Sequence, residues 1–214
     1  MNIKETRKQP EVTRRKLVDA GVKLMRLQGF NATTVDDICA EAGVTKGGFF
    51  HYFKNKDDVA RAAVSRFQED KTQIYQEAPF RQLADPLDRV FGRLDFAKEA
   101  IGGGKGLTKG CLIGVFAQEL AFTNSELRKV CQGAFTWMAR DFEADLTAAK
   151  AIHAPKAGFD PKKLAQFYIS IIQGSLIMAK ASGSNDVYLE NIEQFRSHLK
   201  ELFGQGQKPG RSVN

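Results

Sequence analysis

The sequence predicts an all-α fold, and three observations carry that expectation. Apolar residues recur at intervals of three and four along most of the chain, the spacing of one helix face. No stretch of useful length alternates apolar and polar residues as a half-buried strand does. Glycines and prolines fall at the ends of the apolar stripes, where helices stop.

The elements follow in order. Leu17, Ala20, Gly21 and Leu24 stripe a first helix over about residues 10–29, closed by Gly29. Thr34, with Asp37 three residues on, is a capping-box-like start for a short helix over 34–42. Gly43 breaks it, and a third helix covers 45–52. Asn55 or Asp57 opens a fourth, with Val59, Ala63 and Phe67 on one side. Pro79 and Pro86 mark a connection. Leu87, Val90, Leu94, Ala97 and Ile101 form the next stripe, and "GGGKG" at 102–106 is a flexible break. Helices over about 108–121 and 125–151 follow. The latter has two adjacent stripes, Leu127/Val130/Ala134/Trp137 and Cys131/Phe135/Met138/Phe142, so it packs on more than one neighbour. After the loop "APKAGFDPKK", residues 161–182 are apolar almost all round and are expected to be buried. Tyr188, Ile192, Phe195, Leu199 and Leu202 stripe the last helix. The polar tail "GQGQKPGRSVN" is expected to be disordered. There is no internal repeat.

Hydrophobic content of 43% supports an ordinary core. No apolar run approaches the roughly 18 residues of a spanning helix. The opening "MNIKETRKQPEVTRRK" lacks the apolar centre of a secretory signal. Cys39, Cys111 and Cys131 have no paired spacing, which suits a reducing compartment. A cytoplasmic protein away from membranes is therefore expected. Net charge is +7, and its distribution is uneven: residues 1–56 hold 11 Lys/Arg against 6 Asp/Glu. A positive field there attracts polyanions.

Within that basic quarter, "GVTKGGFFHYFKNKDD" (43–58) has the make-up of a helix for the DNA major groove. Such a helix needs small and polar residues on its groove face. Thr45, Lys46, Gly47 and Gly48 open it. Each glycine costs roughly 1 kcal/mol against alanine inside a helix, a cost that close backbone approach to DNA would offset. Phe49 and Phe53 anchor the helix to the core behind it. His51, Tyr52, Lys54 and Lys56 can meet phosphates.

Residues 10–60, and "LMRLQGFNATTVDDICAEAGVTKGGFFHYFKNKDDV" in particular, resemble the DNA-binding domain of the TetR family of bacterial transcriptional repressors. The resemblance implies about nine helices, a homodimer on a pseudo-palindromic double-stranded operator, and a C-terminal ligand-binding bundle. It assigns Thr34 to the cap and a phosphate contact at the second helix. Thr45, Lys46, Gly47 and Gly48 become the base- and backbone-facing positions, and His51, Tyr52 and Lys56 phosphate contacts. Phe50 departs from the family's usual tyrosine, so that hydroxyl contact is absent. The expected division is a helix-turn-helix domain over 1–56, a connecting helix over 57–78, a ligand-binding and dimerisation domain over 79–204 and the tail over 205–214.

In the longer part, Phe96, Phe116, Phe135, Trp137, Met138, Phe142, Tyr168 and Met178 could line a small-molecule cavity, with Gln118, Glu119 and Gln173 as polar anchors. Core packing is the stronger explanation of each of them taken alone, since aromatic stripes at helical spacing usually form core. The effector is an unknown small molecule. "GCLIGVFAQEL" and "IIQGSLIMAKAS" resemble the C-terminal domains of TetR members that answer drugs and reactive electrophiles. The last two helices are expected to form the dimer, with Gly174, Ser175, Ala179 and Ala181 allowing close approach.

Cys111 follows "GGGKGLTKG", near Lys105 and Lys109, and a helix beginning at about 108 would place it in the first turn. A thiol there gains thiolate character, which makes it a redox candidate. Its resemblance to the sensor cysteine of electrophile-responsive members points the same way, and Lys180 could approach it in the folded bundle. The alternative is a small buried hydrophobe. No enzyme is expected: "GGGKG" lacks the spacing of a phosphate loop, and no nucleophile motif is present. Cys39, Cys111, Cys131, His153 and His198 lack ligand-like spacing, so neither metal nor cofactor is expected.

Overall fold

A computed structural model describes residues 3–102 and 107–205. Among these residues lie nine α-helices and no strand: α1 (Ile3–Gln28), α2 (Val35–Ala42), α3 (Lys46–Tyr52), α4 (Lys56–Gln76), α5 (Pro86–Gly102), α6 (Leu112–Leu120), α7 (Ser125–His153), α8 (Pro161–Ser182) and α9 (Asp186–Leu202). A 3₁₀ turn, Pro79–Gln82, fills the proline-marked connection. The all-α expectation holds. Residues 103–106, with Lys105, and the tail from 206 lie outside the described residues.

The chain forms two compact units. The first comprises Met1–Tyr75 and Lys109–Phe135, the second Gln76–Thr108 and Thr136–Asn214. Thus α6 and the first turns of α7 group with α1–α4.

In the first unit the helix stripes meet as their spacing requires. Leu17, Met25, Ile38, Phe49, Val59 and Ala63 are fully buried. Thr34 caps α2 in a complete capping box. Its Oγ1 accepts from Asp37 N at 3.1 Å, while Asp37 Oδ2 accepts from Thr34 N at 2.8 Å. Asn55 Oδ1 accepts from Asp58 N at 2.9 Å, which settles α4's start on Asn55 and Lys56.

In the second unit, Leu87, Val90, Leu94 and Ala97 bury the α5 stripe. Tyr188, Ile192, Phe195 and Leu199 bury that of α9. The rings of Phe142, Tyr168 and Phe195 stack into its centre, with centroids 4.7 Å apart for Phe142–Tyr168 and 5.3 Å for Tyr168–Phe195. Asp145 is buried among three arginines, taking Arg89 Nε at 3.0 Å, Arg81 Nη1 at 3.2 Å and Arg93 Nη2 at 3.4 Å. Such a charge is tolerable inside only because it is surrounded by donors.

Three expectations need correction. First, α1 begins well before residue 10 and runs through Pro10. Second, α6 begins at Leu112, not 108. Gly110 sits at φ +77°, which interrupts any helix, and Cys111 (φ −108°, ψ 125°) is an extended N-cap residue. Third, α8 is not buried all round. Phe167, Ile177 and Met178 are 50%, 48% and 54% exposed, so one apolar side of the helix is uncovered in the single chain.

Candidate nucleic-acid interface and its coupling helix

The recognition-helix candidate is α3, held in place from behind. Phe49 and Phe53 are buried, with ring centroids 5.8 Å apart. Thr45 is the N-cap, its Oγ1 accepting from Gly48 N at 3.1 Å. A β-carbon at Gly48 would lie 2.9 Å from Val44 Cγ1, so this glycine keeps the cap tight. At Gly47 nothing lies within 4 Å of such a carbon. Gly47 is thus open space on the outer face, with Thr45, Lys46, Phe50 and His51 exposed around it and Tyr52 half-buried. Lys46 Nζ pairs with Asp36 at 2.9 Å, but both groups are well exposed, so the pair holds the lysine only weakly.

Lys56 is turned the other way. Its Nζ donates to Phe30 O and Thr33 O, both at 2.8 Å, and sits 4.1 Å from the Phe30 ring centre. Burial pushes its pKa down, and the nearby Asp57 and Glu119 carboxylates oppose that shift. This ammonium therefore holds the turn between α1 and α2, a role that sequence reasoning missed. Lysine three residues beyond the buried Phe53 reads simply as a surface charge.

The same turn is gripped by α6. Glu119 Oε2 accepts from Asn31 N at 2.7 Å, and Phe116 meets Phe30 edge to face at 5.9 Å. Gly29 is at φ +93°, and a β-carbon there would stand 2.1 Å from Glu119 Oε1. Only glycine satisfies both demands. At the other end of α6, Arg26 Nη2 donates to Gly110 O at 2.9 Å. The last turn of α1 and the turn after it are thereby tied to both ends of one short helix.

The ligand candidates separate by unit. Phe116 and Gln118 belong to the first. Gln118 is exposed and its Nε2 donates to Gly114 O at 2.9 Å, and Glu119 is committed to Asn31, so neither presents a spare anchor. Phe96, Trp137, Met138, Phe142, Tyr168, Gln173 and Met178 belong to the second. Phe142 and Tyr168 are core, and Phe96, Trp137 and Met138 are half-buried. Met178 lies on the uncovered side of α8. The Gln173 Nε2 is buried and has no hydrogen-bond partner among the described residues.

Cys111 is buried as the N-cap of α6 and makes no side-chain capping bond. Lys109 is exposed, and Lys180 is exposed near the end of α8. Within the first unit Arg26 and Lys71 lie near Cys111: burial lowers the pKa of each, and a Cys111 thiolate opposes that shift. Cys131 is also near, and burial pushes its thiol up to about 11. Among the described residues no group of three or more His, Cys, Asp or Glu could hold a metal ion. Nor is any described helix long and apolar enough to cross a membrane.

Residues 17–63 match the model for bacterial regulatory proteins of the tetR family, and residues 95–195 match that of the LmrA/YxaF-like transcriptional regulator C-terminal domain. The transcriptional regulator AcuR of Cereibacter sphaeroides is 28% identical over 77% of this chain and 74% of its own length. The transcriptional repressor DhaR of Mycobacterium sp. is 24% identical over 85% of this chain and 87% of its own. Among solved structures, a regulatory protein TetR from Rhodobacter sphaeroides superposes with a TM-score of 0.75 at 25% identity, covering 91% of this chain and 98% of that one. Escherichia coli NemR in its reduced form gives a TM-score of 0.74 at 23% identity, covering 89% and 97%.

Proposed function

Because this chain belongs to the TetR family of transcriptional regulators, DNA-binding proteins rather than enzymes, we propose that it is a homodimeric repressor released from its operator by a small effector. Regulators of this family bind operator DNA and act as dimers. Thr45, Lys46, Gly47 and Gly48 face bases and backbone, and Thr34, His51 and Tyr52 contact phosphates. Phe50, 53% exposed, offers an apolar ring for a thymine methyl instead of a hydroxyl. The dimer forms through the uncovered side of α8. Phe167, Ser170, Gly174, Ile177, Met178 and Ala181 recur there at helical spacing with small residues between large ones, as a two-fold interface requires.

The observation that carries the regulatory part is the two-ended grip of α6 on α1 and the turn that follows it. A ligand that shifts α6 must move that turn, on which α2 and hence α3 are built. It weakens DNA binding to the extent that it prefers the shifted arrangement. The unpartnered amide of Gln173 supports an effector that is mainly apolar with one hydrogen-bond acceptor. A second reading, favoured by the two cations beside Cys111, makes that thiol the trigger: modification by an oxidant or electrophile would displace the N-cap of α6.

The test starts by selecting a binding site from random duplex DNA and measuring affinity by fluorescence anisotropy. Lys46→Ala should weaken specific binding more than nonspecific binding. Failure to select any site, or wild-type affinity in Lys46→Ala, would refute the placement of the recognition helix. Comparing oxidant-driven release in wild type and Cys111→Ser separates the two triggers, since unchanged release in the serine variant excludes the thiol.

A further inference from the structure

Two cations meet one aromatic ring inside the first unit, and among the described residues neither forms an ion pair with a carboxylate. Arg26 comes from the last turn of α1 and Lys71 from the second half of α4. Both stand against the same ring: Arg26 Cζ and Lys71 Nζ are each 5.7 Å from the centre of Phe67, itself buried. Arg26 spends Nη2 on Gly110 O, while its Nε is buried and meets no acceptor among the described residues. No ion pair within 4.0 Å joins either cation to a described residue. The neighbouring acid, Asp70, is engaged by Arg66 at 2.5 Å. Burial drives the pKa of Lys71 down, with Arg26 adding to the effect as a like charge. Arg26 is likewise lowered by burial.

Such an arrangement is costly unless an anion joins it. A partly buried arginine and lysine side by side repel, and an unsatisfied guanidinium N–H costs its full desolvation. A carboxylate has the chemistry to answer both cations, because its two oxygens can accept from a guanidinium and an ammonium together. The next residue after the Gly110 carbonyl that anchors Arg26 is Cys111. A carboxylate held there lies at the N-cap of α6, at one end of the helix that grips the turn after α1.

We propose that Arg26 and Lys71 form a binding site for the carboxylate of a small anionic effector, seated against Phe67 and beside the sulfur of Cys111. The site rests on the regulatory role of α6 only for its consequence, DNA release, and not for its existence. The ligand class of this site is small organic acids, distinct from the apolar ligand that Gln173 supports in the second unit, and a carbon next to the carboxylate would lie within the reach of the thiol.

Iodoacetate and iodoacetamide test this directly, since they differ in charge and share their chemistry. In each case the Cys111 sulfur attacks the methylene carbon, the S–C bond forms as the C–I bond breaks, iodide leaves with that electron pair, and the thiol proton passes to solvent. Peptide mass spectrometry of the full chain gives the iodoacetate-to-iodoacetamide rate ratio at Cys111. The same ratio in the urea-unfolded chain sets the reference. The folded wild type should exceed that reference by about tenfold, equivalent to roughly 1.4 kcal/mol of preferential binding, with a rate that saturates in iodoacetate. Lys71→Gln and Arg26→Gln should return the ratio to the reference, and propanoate should protect Cys111 where propanamide does not. A ratio at the reference in wild type, or one unchanged in both variants, overturns the site. A thermal melt supplies a second readout independent of thiol access. Propanoate should raise the midpoint of wild type more than propanamide does, and this difference should vanish in Lys71→Gln; no difference in wild type also overturns the site. Protection without loss of operator binding supports the site and refutes its regulatory role. Operator release by neutral reagents alone, with the ratio at the reference, refutes the site and leaves that role standing.

Discussion

Replacing Lys56 with methionine removes an ammonium and keeps most of the stem over the Phe30 ring. The lost contacts are two charged hydrogen bonds, to Phe30 O and Thr33 O, each 2.8 Å long. Phe30 O keeps a second donor, Thr33 N at 3.2 Å, whereas Thr33 O loses the lysine. A hydrogen bond from a charged donor contributes about 1.5–3 kcal/mol. Burial already disfavours this ammonium, and methionine removes that cost, so the net loss should be about 2 kcal/mol for both bonds together. For a chain of this length that is a fall of about 4–8 °C in melting midpoint. Operator affinity should also fall, because the turn that carries α2 and α3 loosens. The slope of log affinity against log salt should nevertheless stay at the wild-type value. A phosphate contact would behave in the opposite manner, leaving the melting midpoint alone and reducing the slope by about 0.9. Wild-type stability with a reduced slope would show that Lys56 faces DNA and would refute the inward role.

Gly47→Ala should stabilise the fold by up to about 1 kcal/mol, since a β-carbon meets nothing within 4 Å; weaker operator binding in the same variant, by anisotropy, would show that DNA backbone or bases approach that face. Asp145→Ala removes the buried carboxylate shared by Arg81, Arg89 and Arg93 while Asp141 still pairs with Arg81 and Arg93, so the loss by urea denaturation should be about 3 kcal/mol, the low end for a broken buried pair. Phe167→Glu should convert a dimer to monomer in sedimentation, and an intact dimer would move the interface away from α8. The Cys131 thiol titrates from 9.0 unfolded to about 11 folded. The folded state then holds more protons between those values, so this group's stabilisation, full below pH 9, is lost as pH rises toward 11. The stability gap between wild type and Cys131→Ala should therefore narrow across that window.

The elements were legible wherever local chemistry decides them. Thr34 with Asp37 and the apolar stripes of α5 and α9 need only a few residues of context. The start of α6 was not legible, because "LTKGC" carries no mark that Gly110 takes a positive φ. Burial of α8 was overestimated because a helix apolar all round looks the same whether its second face meets its own chain or another. The least legible residues were charged ones used internally. Lys56, Arg26 and Lys71 are polar in any sequence pattern, and only the fold shows Lys56 on carbonyls and the other two around Phe67. For α3 the pattern did better, since exposure of Lys46, Gly47 and His51 follows from Phe49 and Phe53 pointing inward.

The attachment of α6 at both of its ends has a thermodynamic consequence that runs backward. Linkage between two sites through one element is reciprocal: whatever factor an occupant at the N-cap imposes on operator affinity, the operator imposes on that occupant's affinity. Operator DNA added to the protein should therefore loosen the hold on a bound organic acid by the same ratio in which the acid loosens the hold on DNA. If the proposed acid site regulates, the operator-bound protein needs more acid for occupancy than the free protein does, by that same ratio.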